Sequence, residues 1–385
     1  MHESDRPSLR QIASAWLRLG VTGFGGPPAH IVLLRKLCVE DNSWIDQESF
    51  EHAVAATNLL PGPASTQLAI YLGWRLRATK GALVAGLCFI LPGLTMILAL
   101  AALLLEAGAP RWITGAAVGA GAVVPVVAVR AGADLALPSL RRWPKRTGPR
   151  ARWLLWVLAG LFGCLFLGPA LVLCLLACGI IEMCIELARA PRPPSGTFML
   201  APLLAVTPVL GGVAWLALKV GALSFGGGFV IVPLMQSQAV HTAHWMTESQ
   251  FLAAVALGQL TPGPVVQTVA VVGWAAGGLG AALLAATIAF APSFLFVIGL
   301  GSSFERLRTS RVAQGFMSGA GPAAIGAIFG SAVILCRGLG EVWQLPLLGL
   351  AVLWLLVLRR GPMSMLLFAA LVGGILGALG APLSF

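Results

Sequence analysis

The sequence predicts an all-α polytopic membrane protein made of two inverted repeats, each of about five transmembrane helices plus a re-entrant broken-helix hairpin. Three observations predict it. The 385 residues are 58% hydrophobic and only 10% charged, with a mean hydropathy of +0.90, more apolar surface than a soluble domain has use for. The chain repeats itself at long range. Its arginines and lysines crowd into a few short loops, as they do on one side of a membrane.

The repeat is legible residue by residue. RLGVTGFGGP at 18–27 is echoed by KVGALSFGGG at 219–228, an offset of 201 (Phe24 to Phe225). Trp44-Ile45 is answered by Trp245-Met246, Phe50 by Phe251, and the Asn58–Pro63 stretch NLLPGP by QLTPGP at Gln259–Pro264. The offset then becomes 200, pairing Gln67 with Gln267, Gly73-Trp74 with Gly273-Trp274, Pro92 with Pro292, and Gly119–Gly121 with Gly319–Gly321. A late pair, Gly168-Pro169, recurs as Gly361-Pro362.

Six apolar segments follow in each half. In the first, segment A covers about 10–37 and carries the FGGPP break; B, about 48–79, is interrupted at Pro61-Gly62-Pro63. C covers about 81–105, D 111–131, E 153–167 and F 169–188. Their echoes are A′ at about 211–239, B′ 248–278, C′ 280–302, D′ 311–335, E′ 343–358 and F′ 362–381. The expected domains are therefore 1–190, a Pro-rich linker 191–210, and an inverted second repeat 211–385.

Charge decides how B runs. If B dips in and returns, Arg35, Lys36, Arg75, Arg77, Lys80, the Arg141–Arg152 loop, Arg189, Arg192, Arg306, Arg308, Arg311, Arg359 and Arg360 share one face. The other face receives Arg6, Arg10, Arg111 and Arg337. That asymmetry favours a re-entrant B. Five spans per half, an odd number, then invert the second half. The N-terminus falls on the arginine-poor side, against its own two arginines. The net charge of +11 thus reports membrane orientation, and no nucleic acid is expected. The seven cysteines form no Cys-x-x-Cys or Cys/His cluster and read as small packing residues. No removable signal peptide is expected.

The breaks carry the candidate chemistry. Proline removes a donor and glycine opens the backbone, so Pro61-Gly62-Pro63 and Pro262-Gly263-Pro264 each end one half-helix and start another. The second half-helix then presents free N–H groups and the positive end of its dipole, an anion site made of backbone. The bland alternative is a kink that only shapes packing. Phe24-Gly25-Gly26 and Phe225-Gly226-Gly227, preceded by Thr22 and Ser224, form the second pair of breaks, readable also as tight helix crossings. Arg18 and Lys219 stand at equivalent places. A cation in an apolar run costs on the order of 3 kcal/mol and calls for a partner, and no acidic residue is placed to serve Lys219; snorkelling is the alternative. Asn58, Gln67, Gln259 and Gln267 flank the turns and supply neutral donors, or cap the broken helices. His30 has no counterpart and receives no role. No nucleotide loop, metal motif or hydrolase motif is present, so no enzyme activity, cofactor or metal is expected.

FGGPPAH (24–30), Trp44-Ile45, LLPGPASTQLAIYLGW (59–74) and, in the second half, FGGGFVIVPL (225–234) with QLTPGP together resemble the chromate ion transporter family in its long, two-domain form. The resemblance implies efflux of chromate across the bacterial inner membrane, chromate resistance, and sulfate as an alternative substrate. Both solutes are tetrahedral dianions rich in acceptor oxygens, which half-helix N-termini, glycine amides and one or two cations suit. Expected partners are chromate and sulfate, the lipid bilayer and a second copy of the chain. A sulfate or oxyanion exchanger and an anion channel stay open as alternatives.

Overall fold

The computed structural model describes residues 7–58, 60, 62–106, 108–143, 147–188, 208–224, 228–301 and 310–385. Among them the secondary structure is helical throughout, and six helices are long and apolar enough to cross a membrane. The first half contains α1 (Leu9–Thr22), α2 (Gly26–Arg35), α3 (Gln47–Thr57), α4 (Ala64–Leu105), α5 (Arg111–Arg142), α6 (Thr147–Leu167) and α7 (Leu171–Ala188). The second contains α8 (Pro208–Leu223), α9 (Val232–Gln236), α10 (Glu248–Leu260), α11 (Thr268–Leu300), α12 (Arg311–Arg337), α13 (Gln344–Val352) and α14 (Pro362–Ala378).

Local chemistry fixes the helix starts. Ser8 and Gln11 form a capping box on α1, and Thr247 and Gln250 form one on α10. Asp46 caps α3 by accepting from the Ser49 amide at 2.8 Å. Each cap satisfies an N–H that the first turn leaves orphaned. Helices α4 and α11 each bend sharply at the same repeat position, at Arg77-Ala78 and Gly277-Gly278.

Segment B folds back as expected. Helix α3 enters beside Arg75, whose Nη2 lies 3.5 Å from Ser49 Oγ, and the first arm of α4 returns there from Gly62. An 11-residue helix reaches only about 16 Å, half of a bilayer core.

Segment A departs from its expected course, for it folds back too. Trp16 of α1 donates to the Ala69 carbonyl at 3.1 Å and stacks on Trp44, ring centroids 6.3 Å apart. Arg77 Nε donates to the Pro7 carbonyl at 2.8 Å. Thus α1 runs inward from the end where α3 starts, breaks at Gly23–Gly25, and α2 returns to that end. The correction has a physical cause: after the break, the apolar face of α2 and its π-helical extension (Lys36–Asp41) finds its partners, Trp16 and the first arm of α4, on the way back. The first half therefore holds two hairpins and four membrane-length passes (the second arm of α4, then α5, α6 and α7), where five passes and one hairpin were expected.

The halves are interleaved. Helix α5 packs on α14, and α12 packs on α6 and α7. Small residues allow it: a β-carbon at Gly119 would lie 2.3 Å from the Ala369 carbonyl oxygen, and one at Gly319 would lie 2.1 Å from that of Cys178. In the middle, the second arms of α4 and α11 run in opposite directions. Gly86 faces the Phe294 ring, and Trp74, just ahead of the bend from which the second arm of α4 starts, abuts Gly301 at the end of the other.

Two ends of the bundle follow. One gathers Pro7, Ser49, Arg75, Arg77 and Gly301, together with the start of α12 and the C-terminal turns of α7 packed against it. The other gathers Arg111, which donates to the Ala381 carbonyl at 2.7 Å, Trp343, which donates to that of Pro382 at 3.1 Å, and Ser249 beside Gly338.

Candidate functional site

The hairpin tips meet at the middle of the bundle, and each is built partly into the other half. In the second-half tip, Gly263 stands at φ +96°, which glycine tolerates, and its N–H donates to the carbonyl of Gly23 at 2.9 Å. Gln267 reaches across from the same tip, its Nε2 donating to the Ile90 carbonyl at 2.9 Å. Behind it, a β-carbon on Gly93 would stand 2.0 Å from the Pro262 carbonyl oxygen. In the first-half tip, Gly62 stands at φ +126°, and a β-carbon there would approach the Gly221 carbonyl oxygen of α8 to 3.3 Å.

Helix α4 starts at Pro63 with no side-chain cap, so its first N–H groups stay open. Helix α11 starts through a tight turn, Val265–Gln267, behind Pro264. Around these breaks lie buried polar atoms that make no hydrogen bond within the protein: Ser65 Oγ, Thr66 Oγ1, Ser224 Oγ, Gln259 Nε2, Gln267 Oε1 and Ser293 Oγ. Orphaned buried polar groups are rare, and a cluster of them marks a place built for something other than packing.

The remaining expected residues fall differently. Asn58 caps the end of α3 and is half-buried, and Gln67 is buried in the first turn of α4. Gly25 (φ +101°) and Gly26 (φ +72°) form the sharp entry to α2. Arg18, Thr22 and Phe24 are exposed, and the Thr22 hydroxyl is spent on the Arg18 carbonyl at 2.8 Å. Lys219 does have a protein partner: its Nζ donates to Gln238 Oε1 at 2.7 Å and lies 5.4 Å from the centre of the Trp215 ring. Both partners are neutral, and among the described residues no carboxylate pairs with it. Pro61, Phe225, Gly226 and Gly227 lie outside the described residues. His30 is buried, with Nε2 2.9 Å from the Gly23 carbonyl oxygen, so it braces the break that the second-half tip joins.

A cleft of about 680 Å³ leads to the first-half tip. Asn58, Gly62 and Ala64 line its inner part; Trp143, Arg152, Glu182, Glu186 and Gln314 line it toward the basic end. At the equivalent place in the other half there is direct packing. Gly321 of α12 lines the cleft and has open space before it, whereas its counterpart Gly121 of α5 faces Leu252 of α10 at 3.1 Å from a β-carbon position. Gln344 seals that side further, donating to the Val118 carbonyl at 3.2 Å. The cleft is open beside Gly321, and the counterpart position at Gly121 is packed.

Arg152 and Glu182 line the cleft, and sequence reasoning singled out neither. Arg152 reads from sequence as one more charge in a basic loop. Glu182 left a usable signal: a carboxylate within the apolar run Leu171–Ala188 is expensive unless it is paired.

Six helices long and apolar enough to cross a membrane, with interrupted helices and a cleft open to one end between them, mark the chain as a multi-pass membrane protein. It belongs to the chromate transporter family, whose model matches residues 10–183 and 212–378, one match in each half. It is 32% identical over 352 residues to a chromate transport protein of Cupriavidus metallidurans, covering 88% of this chain and 85% of that one. It is 28% identical to a chromate transport protein of Pseudomonas aeruginosa, covering 87% and 82%, and 26% identical to an uncharacterised transporter of Methanocaldococcus jannaschii, covering 81% and 80%. No solved structure matches the chain.

Proposed function

We infer that the protein is a secondary transporter that exports chromate from the bacterial cytoplasm across the inner membrane and thereby confers chromate resistance. The observation that carries this reading is the bond from Gly263 N–H to the Gly23 carbonyl: breaks from both halves form one site. The two repeats, 1–190 and 211–385, are read as inverted copies joined by the linker 191–210. The opposite directions of the second arms of α4 and α11 support that reading, as does the exchange of α5 and α12 between halves.

The basic end is the cytoplasmic one on the positive-inside rule. With segment A folded back, Arg10 joins it, and the N-terminal exception in the charge pattern disappears. The open cleft then faces the cytoplasm, and the closed Gly121–Leu252 contact faces outward. Exchanging those two arrangements between equivalent repeats is alternating access. Two charges moving down a potential of 100 mV gain about 4.6 kcal/mol, so expelling a dianion needs no nucleotide and no obligatory coupled ion.

Uptake of radiolabelled chromate and sulfate into inverted membrane vesicles, with pH and potential set independently, tests the reading. Saturable accumulation dependent on potential is expected. Stimulation by sulfate on the opposite side would instead identify an exchanger, and non-saturating flux a channel. Absence of flux for both oxyanions would remove the proposal.

A further inference from the structure

The cleft holds a charged constellation that the helix breaks do not explain. Glu182 of α7 is 1% exposed. Its Oε1 lies 3.2 Å from Arg152 Nη2 of α6, and its Oε2 accepts from Trp156 Nε1 at 3.0 Å. Glu186, one turn on, stands 3.6 Å from the same Arg152 nitrogen. The guanidinium carbon lies 5.5 Å from the centre of the Trp143 ring, and Nη1 is buried without an acceptor. One arginine thus faces two carboxylates, yet one of its two terminal nitrogens remains unused. All four of Trp143, Arg152, Glu182 and Glu186 line the route from the basic end to Asn58 and Gly62.

The repeat does not carry them twice. Aligned on Gly168-Pro169 and Gly361-Pro362, the second half has Leu345 for Arg152, Gly349 for Trp156, Ile375 for Glu182 and Leu379 for Glu186. None of those four counterparts carries a charge, and Leu345, Ile375 and Leu379 lie exposed, at 56%, 52% and 78%. A buried ion pair gives little net stability over apolar residues, because desolvation offsets the attraction. The constellation exists at one end of the protein only, the end where the cleft opens.

We propose that Arg152 is the capture site for the oxyanion on the cytoplasmic side, and that Glu182 is its resident counter-ion, which the substrate displaces. This deepens the transport reading and rests on it for the class of ligand. Guanidinium forks match a tetrahedral dianion, since two parallel N–H groups meet two of its oxygens. Without substrate, the Glu182 carboxylate holds one edge of the fork, fixed by Trp156, so Arg152 waits in position and does not collapse elsewhere. An arriving dianion brings the stronger charge and takes Arg152, and the negative pair Glu182 and Glu186 discourages its staying. Capture and onward release toward the Asn58–Gly62 tip then become comparable in free energy. Monovalent anions, with one charge to offer, compete poorly against the carboxylate.

The test is binding to the purified full-length protein, read as thermal stabilisation by sulfate and by chromate against chloride at equal ionic strength. Stabilisation of the wild type by both dianions is expected. Removing the competitor (Glu182→Gln) should lower the half-saturating concentration at least about threefold, the scale of a partial loss of counter-ion. Arg152→Gln should raise it on the order of tenfold, the loss of one charged hydrogen-bonding partner, and Arg152→Lys should fall between. Because Arg152→Gln leaves a lone buried carboxylate, the double variant Arg152→Gln/Glu182→Gln, free of both charges, checks the same point in a foldable background and should also lose binding. A wild type that neither dianion stabilises, or variants that all bind like the wild type, overturns the proposal. So does weaker binding in Glu182→Gln, which would make the pair a structural brace. Vesicle flux is measured separately: wild-type flux retained in Arg152→Gln sinks the capture site alone, whereas no flux in the wild type sinks the transport reading.

Discussion

Arg77 donates from Nε to the carbonyl oxygen of Pro7 at 2.8 Å, joining residues 70 apart in sequence. This one bond ties the N-terminus to the end of the bundle that holds Arg75 and Ser49, and so sets the orientation of segment A. Single cysteines at Arg10, Ser139 and Gly340 in a cysteine-free background should separate into two classes. The first two should react with an impermeant maleimide from the cytoplasmic side and Gly340→Cys from outside. Labelling of Arg10→Cys from outside would restore a crossing segment A.

Ala78 holds φ +47° at the bend of α4, a conformation costly for a residue with a β-carbon, while its counterpart in α11 is Gly278 at φ +68°. Ala78→Gly should therefore stabilise the protein by about 1 kcal/mol, visible as a raised melting temperature in detergent with transport unchanged. A lowered melting temperature would mean the bend is not strained.

Gly93 has no room for a side chain, because the Pro262 carbonyl oxygen lies 2.0 Å from a β-carbon position and Gln267 Oε1 2.7 Å. Gly93→Ala should displace the second-half tip, costing about 1–3 kcal/mol of stability and most of the transport rate. Chromate flux and thermal stability measured together check it; wild-type flux would show that the tip does not need this seat.

Gly62 stands at φ +126° with Gln67 Nε2 2.4 Å from where a β-carbon would be. Gly62→Leu should abolish flux, and tolerance of leucine would reduce the turn to packing. The equivalent substitution at Gly263, also in the left-handed region, should act alike.

Lys219 is held by Gln238 and Trp215, neither of them anionic. Lys219→Gln should preserve folding, since Gln238 can still be bonded, yet lower chromate resistance and flux on the order of tenfold, the scale of one charge–ligand interaction. Arg18→Gln, at an exposed position, should do less. Equal, wild-type behaviour of both would end the role of these cations.

The helix breaks and their repetition were legible in the sequence, because short-range chemistry sets them: Pro61-Gly62-Pro63 cannot continue a helix whatever surrounds it. Membrane character followed from composition, and the placing of the carboxamides Asn58, Gln67 and Gln267 beside the breaks from their spacing. The return of segment B was legible from the charges of its flanking loops; the return of segment A was not. Segments A and B have similar lengths and equal interruptions, and hydropathy treats a returning arm and a continuing one alike. The difference lies in partners far along the chain, Trp16 with Trp44 and Ala69, Arg77 with Pro7. The same holds for the cleft. Gly121 and Gly321 are the same residue in the same motif, yet one meets Leu252 and the other faces open space, because the state of access belongs to how whole hairpins seat against helices of the other half. Arg152 and Glu182 needed the fold as well: thirty residues apart, they become a pair only when α6 and α7 are laid together against α12.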